Sequence, residues 1–222
     1  MVAGGIVLAY IYNNTEGVRV AAKCEGCSPG RRHYRIATPK ALSKKNALYC
    51  RMCPPEERTQ KPVGVSMPYP SEQSFIAVLR WLGVDEMFVY HVVPEWWGHS
   101  MDFYNLEHQY FVQIDGSCHW KGMHNIKCEE VLKLDFSQAY TAIEYGATLV
   151  RIHEGDVSNG GVVARTLAAA QGFVGVVLSP SYASQWVPCR GKKMLYTEAL
   201  VHLNPNLAQN PTPTGVTLIH TM

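Results

Sequence analysis

The chain has 222 residues, 47% hydrophobic, 10% aromatic and 17% charged, with a formal net charge of +2. That balance suits a globular protein with a sizeable buried core and excludes wholesale disorder, a fibrous or collagen-like chain and a peptide scaffold. The longest apolar run near the start, Ile6 to Tyr12, is far short of the roughly 20 residues a membrane span needs and has no basic flank before it, so neither a membrane segment nor an export signal is expected. The protein is therefore placed inside the cell, with cytoplasm, nucleus, nucleoid and organelle matrix not distinguished.

The small net charge hides an asymmetry. Residues 19–61 carry eleven Lys or Arg against three acids, a balance of +8, which leaves −6 for the remainder. A basic first quarter joined to an acidic body fits a module that meets phosphates and a body that holds something cationic, although a solvated basic surface fits the charge equally well.

Four of the seven cysteines form two CxxC pairs, Cys24/Cys27 and Cys50/Cys53, with 22 residues between the pairs. Each pair presents two thiolates from one tight turn, and two such turns make a tetrahedral sulfur cage suited to Zn²⁺. Two disulfides are the alternative, disfavoured where no export signal is seen. Four thiolates leave no open position, so the zinc is expected to be structural and to fold a small zinc-ribbon-like module over residues 1–66. Between the pairs, Arg31, Arg32 and Arg35 flank Tyr34, and Lys40, Lys44 and Lys45 follow; basic residues interleaved with an aromatic suit a nucleic-acid backbone. Repeated prolines from Pro54 to Pro70 read as a linker, with the boundary near residue 66.

The next pattern predicts a helix with Ser71 as N-cap, apolar residues at Phe75, Ile76, Leu79 and Leu82, and Gly83 as the stop. Glu72 lies three and four residues before Phe75 and Ile76 and so shares the buried stripe, although an acid in a first turn also suits the helix dipole. A hairpin follows, with Met101-Asp102-Phe103-Tyr104 as one arm and Gln109 to Asp115 as the other. Phe111, Gln113 and Asp115 share one face of the second arm, and Asp102 is expected across from about Val112 or Gln113. Asp115-Gly116 reads as a turn, with His119 four residues after the aspartate. Residues 129–145 are patterned as a helix on Leu132, Phe136, Ala139 and Ile143, with Asp135 at the border of the stripe and Gly146 as the stop; residues 148–153 read as a strand, closing a strand–helix–strand unit. Beyond it, residues 161–171 suggest a short helix, 173–178 a buried strand, 196–203 a packed element, and 204–215 a loose tail.

Ser71-Glu72-Gln73, Met101-Asp102-Phe103-Tyr104, the run Val112 to His119, Leu134-Asp135 and the run Glu144 to Arg151 together resemble, in order and spacing, the very short patch repair endonuclease group of the PD-(D/E)XK, or restriction-endonuclease-like, superfamily. The resemblance covers about residues 70–157. It implies an α/β core over 67–157, a mixed sheet flanked by helices; residues 158–222 read as an extension packed on that core, with a loose tail. It also implies Mg²⁺-dependent hydrolysis of phosphodiester bonds in double-stranded DNA, with Asp102 as the metal ligand, helped by the Ile114 carbonyl and waters. Glu72 and Asp135 match residues that hold metal-bound water or a second ion, and His119 matches a catalytic histidine. Carboxylates and carbonyls suit Mg²⁺, and a histidine transfers protons near neutral pH. The group's usual acid stands here as Gln113, beside Asp115, and its helix arginine as Gln138, so a catalytically inactive nuclease fold serving as a nucleic-acid-binding or ribonucleoprotein component is the rival reading. Cys118, His124, Cys128 and Cys189 stand between a second zinc site and buried free thiols. His91, His99 and His153 read as ordinary core or surface histidines.

Overall fold

The computed structural model describes residues 68–221 apart from 95 and 122–126, together with the backbone of strands β1 (Val7–Asn14), β2 (Gly17–Lys23) and β3 (Tyr34–Ala37). The chain divides into two compact units, Met1–Glu107 and His108–Met222. In the first, β1, β2 and β3 pair antiparallel in that order. Arg35 falls on β3; the four cysteines of the CxxC pairs, Arg31, Arg32, Lys40, Lys44, Lys45 and the boundary expected near residue 66 lie outside the described residues.

Helix α1 (Pro70–Trp81) is capped by Tyr69 rather than Ser71, because Pro70 takes the first helical position, where its fixed φ is already helical and its missing N–H is no loss. Gly83, at φ 72, ends the helix as its position predicts. The buried stripe of α1 carries Glu72 together with Phe75, Ile76, Val78 and Leu79. Phe75 meets Phe88 and Phe103 at centroid distances of 6.0 and 4.9 Å, which seats α1 on the antiparallel pair β4 (Phe88–Val92) and β5 (Met101–Asn105).

The second unit is built on β6 (Tyr110–Asp115), β7 (Thr148–His153) and β8 (Gly175–Leu178), three parallel neighbours. The helices α3 (Cys128–Glu144) and α4 (Gly160–Ala170) connect them, as parallel strands require. Strand β12 (Thr217–Thr221) pairs antiparallel with β8, and β11 (Leu207–Pro211) with β12, so the sheet is mixed. Parallel strands covered on both faces should read as continuous apolar runs, and Leu149, Val150, Ile152, Val176, Val177 and Leu178 are all fully buried. The short helix α2 (Cys118–Lys121), the 3₁₀ turn Pro180–Ser184 and helix α5 (Tyr196–Leu203) complete the second unit's described elements, with the hairpin below, and a 3₁₀ turn, Asp85–Met87, precedes β4 in the first.

Two segments differ from expectation. Residues 204–215, read as loose, include β11 and a turn in which Thr212 N–H reaches Val216 O at 2.7 Å; β11 is the edge strand, where a proline is tolerated because only one side must pair. Strands β9 (Trp186–Cys189) and β10 (Lys192–Leu195) form a hairpin that no alternation announces. Its two-residue loop places Arg190 and Gly191 at φ 49 and 76, the left-handed pair that matches strand twist. Among the described residues, no helix is long and apolar enough to cross a membrane.

A close approach makes Gly175 the most constrained glycine among the described residues. Its φ is 134, and a Cβ there would sit 2.3 Å from the Ile219 carbonyl oxygen, so β8 and β12 touch only because the side chain is missing. Gly175→Ala is expected to lower stability by more than about 2 kcal/mol, against about 1 kcal/mol for Gly172→Ala, whose Cβ would meet open space, as compared by urea unfolding.

Candidate functional site

Among the described residues, two groups of acids and histidines gather, one in each unit. In the first unit Glu72 sits at the third helical position of α1, where its Oε2 accepts the backbone N–H of Tyr69 at 2.9 Å and also the Tyr90 hydroxyl. The acid thus closes the helix end and is held from β4 at the same time. Phe75, Phe88, Phe103 and Tyr90 form the apolar bed beneath, with Tyr90 5.2 Å from Phe103. Asp102 lies on β5, and Glu72 and Asp102 are 4% and 8% exposed. His91, on β4, is exposed and completes the group: one ligand atom from each of Glu72, His91 and Asp102 lies within 4.8 Å of the others. Glu72 and Asp102 are therefore brought together, and His91, which reads as ordinary in the sequence, joins them. Its signal is the left-handed backbone, φ 58, which sequence alone does not disclose.

In the second unit the centre is Arg151, on β7 and 0% exposed. Its Nε and Nη2 bond Asp115 Oδ2 and Oδ1 at 2.7 and 2.8 Å, a bidentate fork from β6. Nη2 also lies 2.8 Å from Asp135 Oδ1 on α3, and Nη1 donates to Gln138 Oε1 at 2.7 Å, one turn further along. His119, on α2, places Nδ1 2.7 Å from Asp135 Oδ2 and Nε2 3.6 Å from Asp115 Oδ1. The Tyr182 hydroxyl donates to Asp115 Oδ2. Trp120, Tyr182, Tyr196 and Phe136 wall this network with rings 4.7–6.0 Å apart, excluding water and strengthening each ion pair.

The electrostatics follow from that enclosure. Burial alone would push the His119 pKa down, but Asp115 and the hydrogen bond to Asp135 outweigh it and hold the imidazole protonated, with its pKa raised from 6.5 to about 11. Burial raises the Asp135 pKa while Arg151, and then His119, lower it further, for a net depression. Burial and the Asp115 charge keep the Tyr182 hydroxyl protonated, as its donor role requires. Two carboxylates thus face a guanidinium and an imidazolium. Both Asp135 oxygens and both Asp115 oxygens are engaged, so in this arrangement Asp135 orients His119 rather than presenting an oxygen to a metal.

His119 and Asp135 are brought together, then, with Asp115. Gln113 faces Arg151 in the β6–β7 register, and its buried Oε1 has no hydrogen-bond partner. Ile114 is buried within β6. Arg151 was not singled out by the sequence reading, although a signal was there: a lone arginine inside the apolar run Leu149-Val150-Arg151-Ile152 must be paired if the strand is covered. Of the residues considered for a second zinc, His124 lies outside the described residues. Cys118 and Cys128 are half-buried and Cys189 is buried, and all three are free thiols. The Cys128 thiol donates to the His119 carbonyl at 3.3 Å, and its pKa is pushed up by burial and by Asp135, the wrong direction for a thiolate ligand.

Arg151→Leu is expected to cost about 3–5 kcal/mol in chemical unfolding, since it strands two buried carboxylates. The His119 contribution has a definite pH window. Its folded pKa lies above the unfolded one, so its stabilisation is complete below about pH 6.5 and is lost as pH rises toward about 11. Stability measured from pH 6 to 9 should fall in the parent, and His119→Gln should flatten that slope. Compared with known proteins, this chain matches no family model, no curated protein and no solved structure.

Proposed function

We propose that the chain is a Mg²⁺-dependent endonuclease of the very short patch repair type, hydrolysing phosphodiester bonds in double-stranded DNA by nicking or double-strand cleavage. The observation that carries this reading is the meeting of Glu72 and Asp102, distant in sequence, under the cover of α1. Two carboxylates drawn together under burial repel, and a divalent cation relieves the repulsion. The oxygen donors fit Mg²⁺, with Asp102 and Glu72 as the residues that would hold it. When bound, Mg²⁺ supplies Lewis acidity, acidifying water and offsetting charge on phosphorus.

The chain's own residues supply the rest. Tyr69 N–H and Tyr90 O–H fix Glu72 in one orientation. His119, protonated across the neutral range, is set up to give a proton to a departing oxygen rather than to take one, and Asp135 holds its Nδ1–H. In the same reading Cys24, Cys27, Cys50 and Cys53 hold a structural zinc, while Arg31, Arg32, Arg35, Lys40, Lys44 and Lys45 meet the DNA backbone.

One observation favours a non-catalytic binding or ribonucleoprotein role instead. Arg151 and His119 already neutralise Asp115 and Asp135, and Gln113 stands where the resemblance expects an acid. Supercoiled plasmid with Mg²⁺ separates the two. The enzyme reading expects cutting by the parent, a loss of about 10²–10⁴-fold in His119→Ala, and none detectable in Asp102→Ala. Tight DNA binding with no cutting by the parent establishes the binding role.

A further inference from the structure

Neighbouring residues on a strand point to opposite faces, yet the rings of Tyr90 and His91 stack at 4.5 Å with an interplanar angle of 11°. The cause is the left-handed backbone of His91, φ 58, a region uncommon for residues other than glycine but one that histidine enters more readily than most. Register continues across the kink, with Tyr90 opposite Phe103 and Val92 opposite Met101, which leaves His91 facing Asp102. The imidazole is thereby swung to the side of Tyr90, whose hydroxyl bonds Glu72. A nitrogen donor enters a pair of oxygen donors, all within 4.8 Å of one another.

Ligand bonds of about 2.0–2.2 Å set donor atoms about 3–4 Å apart around one ion, so donors within 4.8 Å of one another need a contraction of at most about 1–2 Å to close this set. Glu72 and Asp102 are covered while His91 is exposed, which gives an ion a way in from the solvent side. Imidazole is a poor partner for Mg²⁺ and a good one for first-row transition ions. We infer that Glu72, His91 and Asp102 form a two-carboxylate, one-imidazole site that takes a divalent transition ion in preference to Mg²⁺. The inference rests on the metal-binding part of the function proposed above and changes the identity of the ion.

The test uses the full chain with Mn²⁺ and Mg²⁺ as probes. Calorimetry should show Mn²⁺ binding at least about tenfold tighter than Mg²⁺. The electron spin echo of bound Mn²⁺ should show modulation from directly coordinated imidazole nitrogen, a reading on the parent that needs no variant. His91→Asn keeps a residue that tolerates left-handed backbone. It should abolish that modulation and weaken Mn²⁺ by about 10–100-fold while changing Mg²⁺ less than about threefold. Mn²⁺ bound without nitrogen modulation overturns the inference and leaves the Mg²⁺ nuclease reading standing. No binding of either ion at millimolar concentration overturns both. Nitrogen coordination with plasmid left intact under both ions upholds the site and removes the nuclease reading.

Discussion

A guanidinium sealed from water governs the second unit. Moving Arg151 from water to full burial costs several kcal/mol unless every donor finds an acceptor and the charge finds its opposite. Its nitrogens make five approaches of 2.7–3.4 Å to oxygens of Asp115, Asp135 and Gln138, one for each N–H. Those acceptors come from β6 and α3, so the register of β7 against β6 and the rotation of α3 over both are set by the same cation. A one-residue slip of β7 would turn Arg151 to the other face of the sheet and leave Asp115 and Asp135 without it.

The two acid groups are furnished differently. In the second unit the counter-charges are built in, and the imidazolium of His119 completes the balance under an aromatic wall. In the first unit the two acids are approached by an imidazole that stands at the surface. A network that supplies its own cations is suited to orienting a side chain and storing a proton. A group of carboxylates and a ring nitrogen, open on one side, is suited to receiving a cation from outside.

Much of this was legible in residue order. Glu72 was placed on the buried stripe by its spacing from Phe75 and Ile76, and α3, β7 and α4 appear within a residue or so of their predicted bounds because glycines and apolar periodicity mark them. Asp135, expected at the edge of the stripe, is 6% exposed, since Arg151 draws it inward and spacing within one helix cannot report a partner on a strand. His91 escaped notice because its position depends on a single backbone angle, and the β9–β10 hairpin because Arg190-Gly191 is a weak turn signal flanked by residues without alternation. The N-cap moved to Tyr69 because Pro70 is a stronger helix starter than Ser71 is a cap.

The wiring of Arg151 also bears on how the second unit assembles. Its partners lie 36, 16 and 13 residues away in sequence, and Tyr182 reaches Asp115 over 67. A cation stripped of water with only one of these partners in place is worse off than one still hydrated, so partial docking of β7 gains nothing. Closure must await the arrival of β6, α3 and the turn at Tyr182 together, which makes consolidation an all-or-none event delayed by long loops rather than a stepwise zippering.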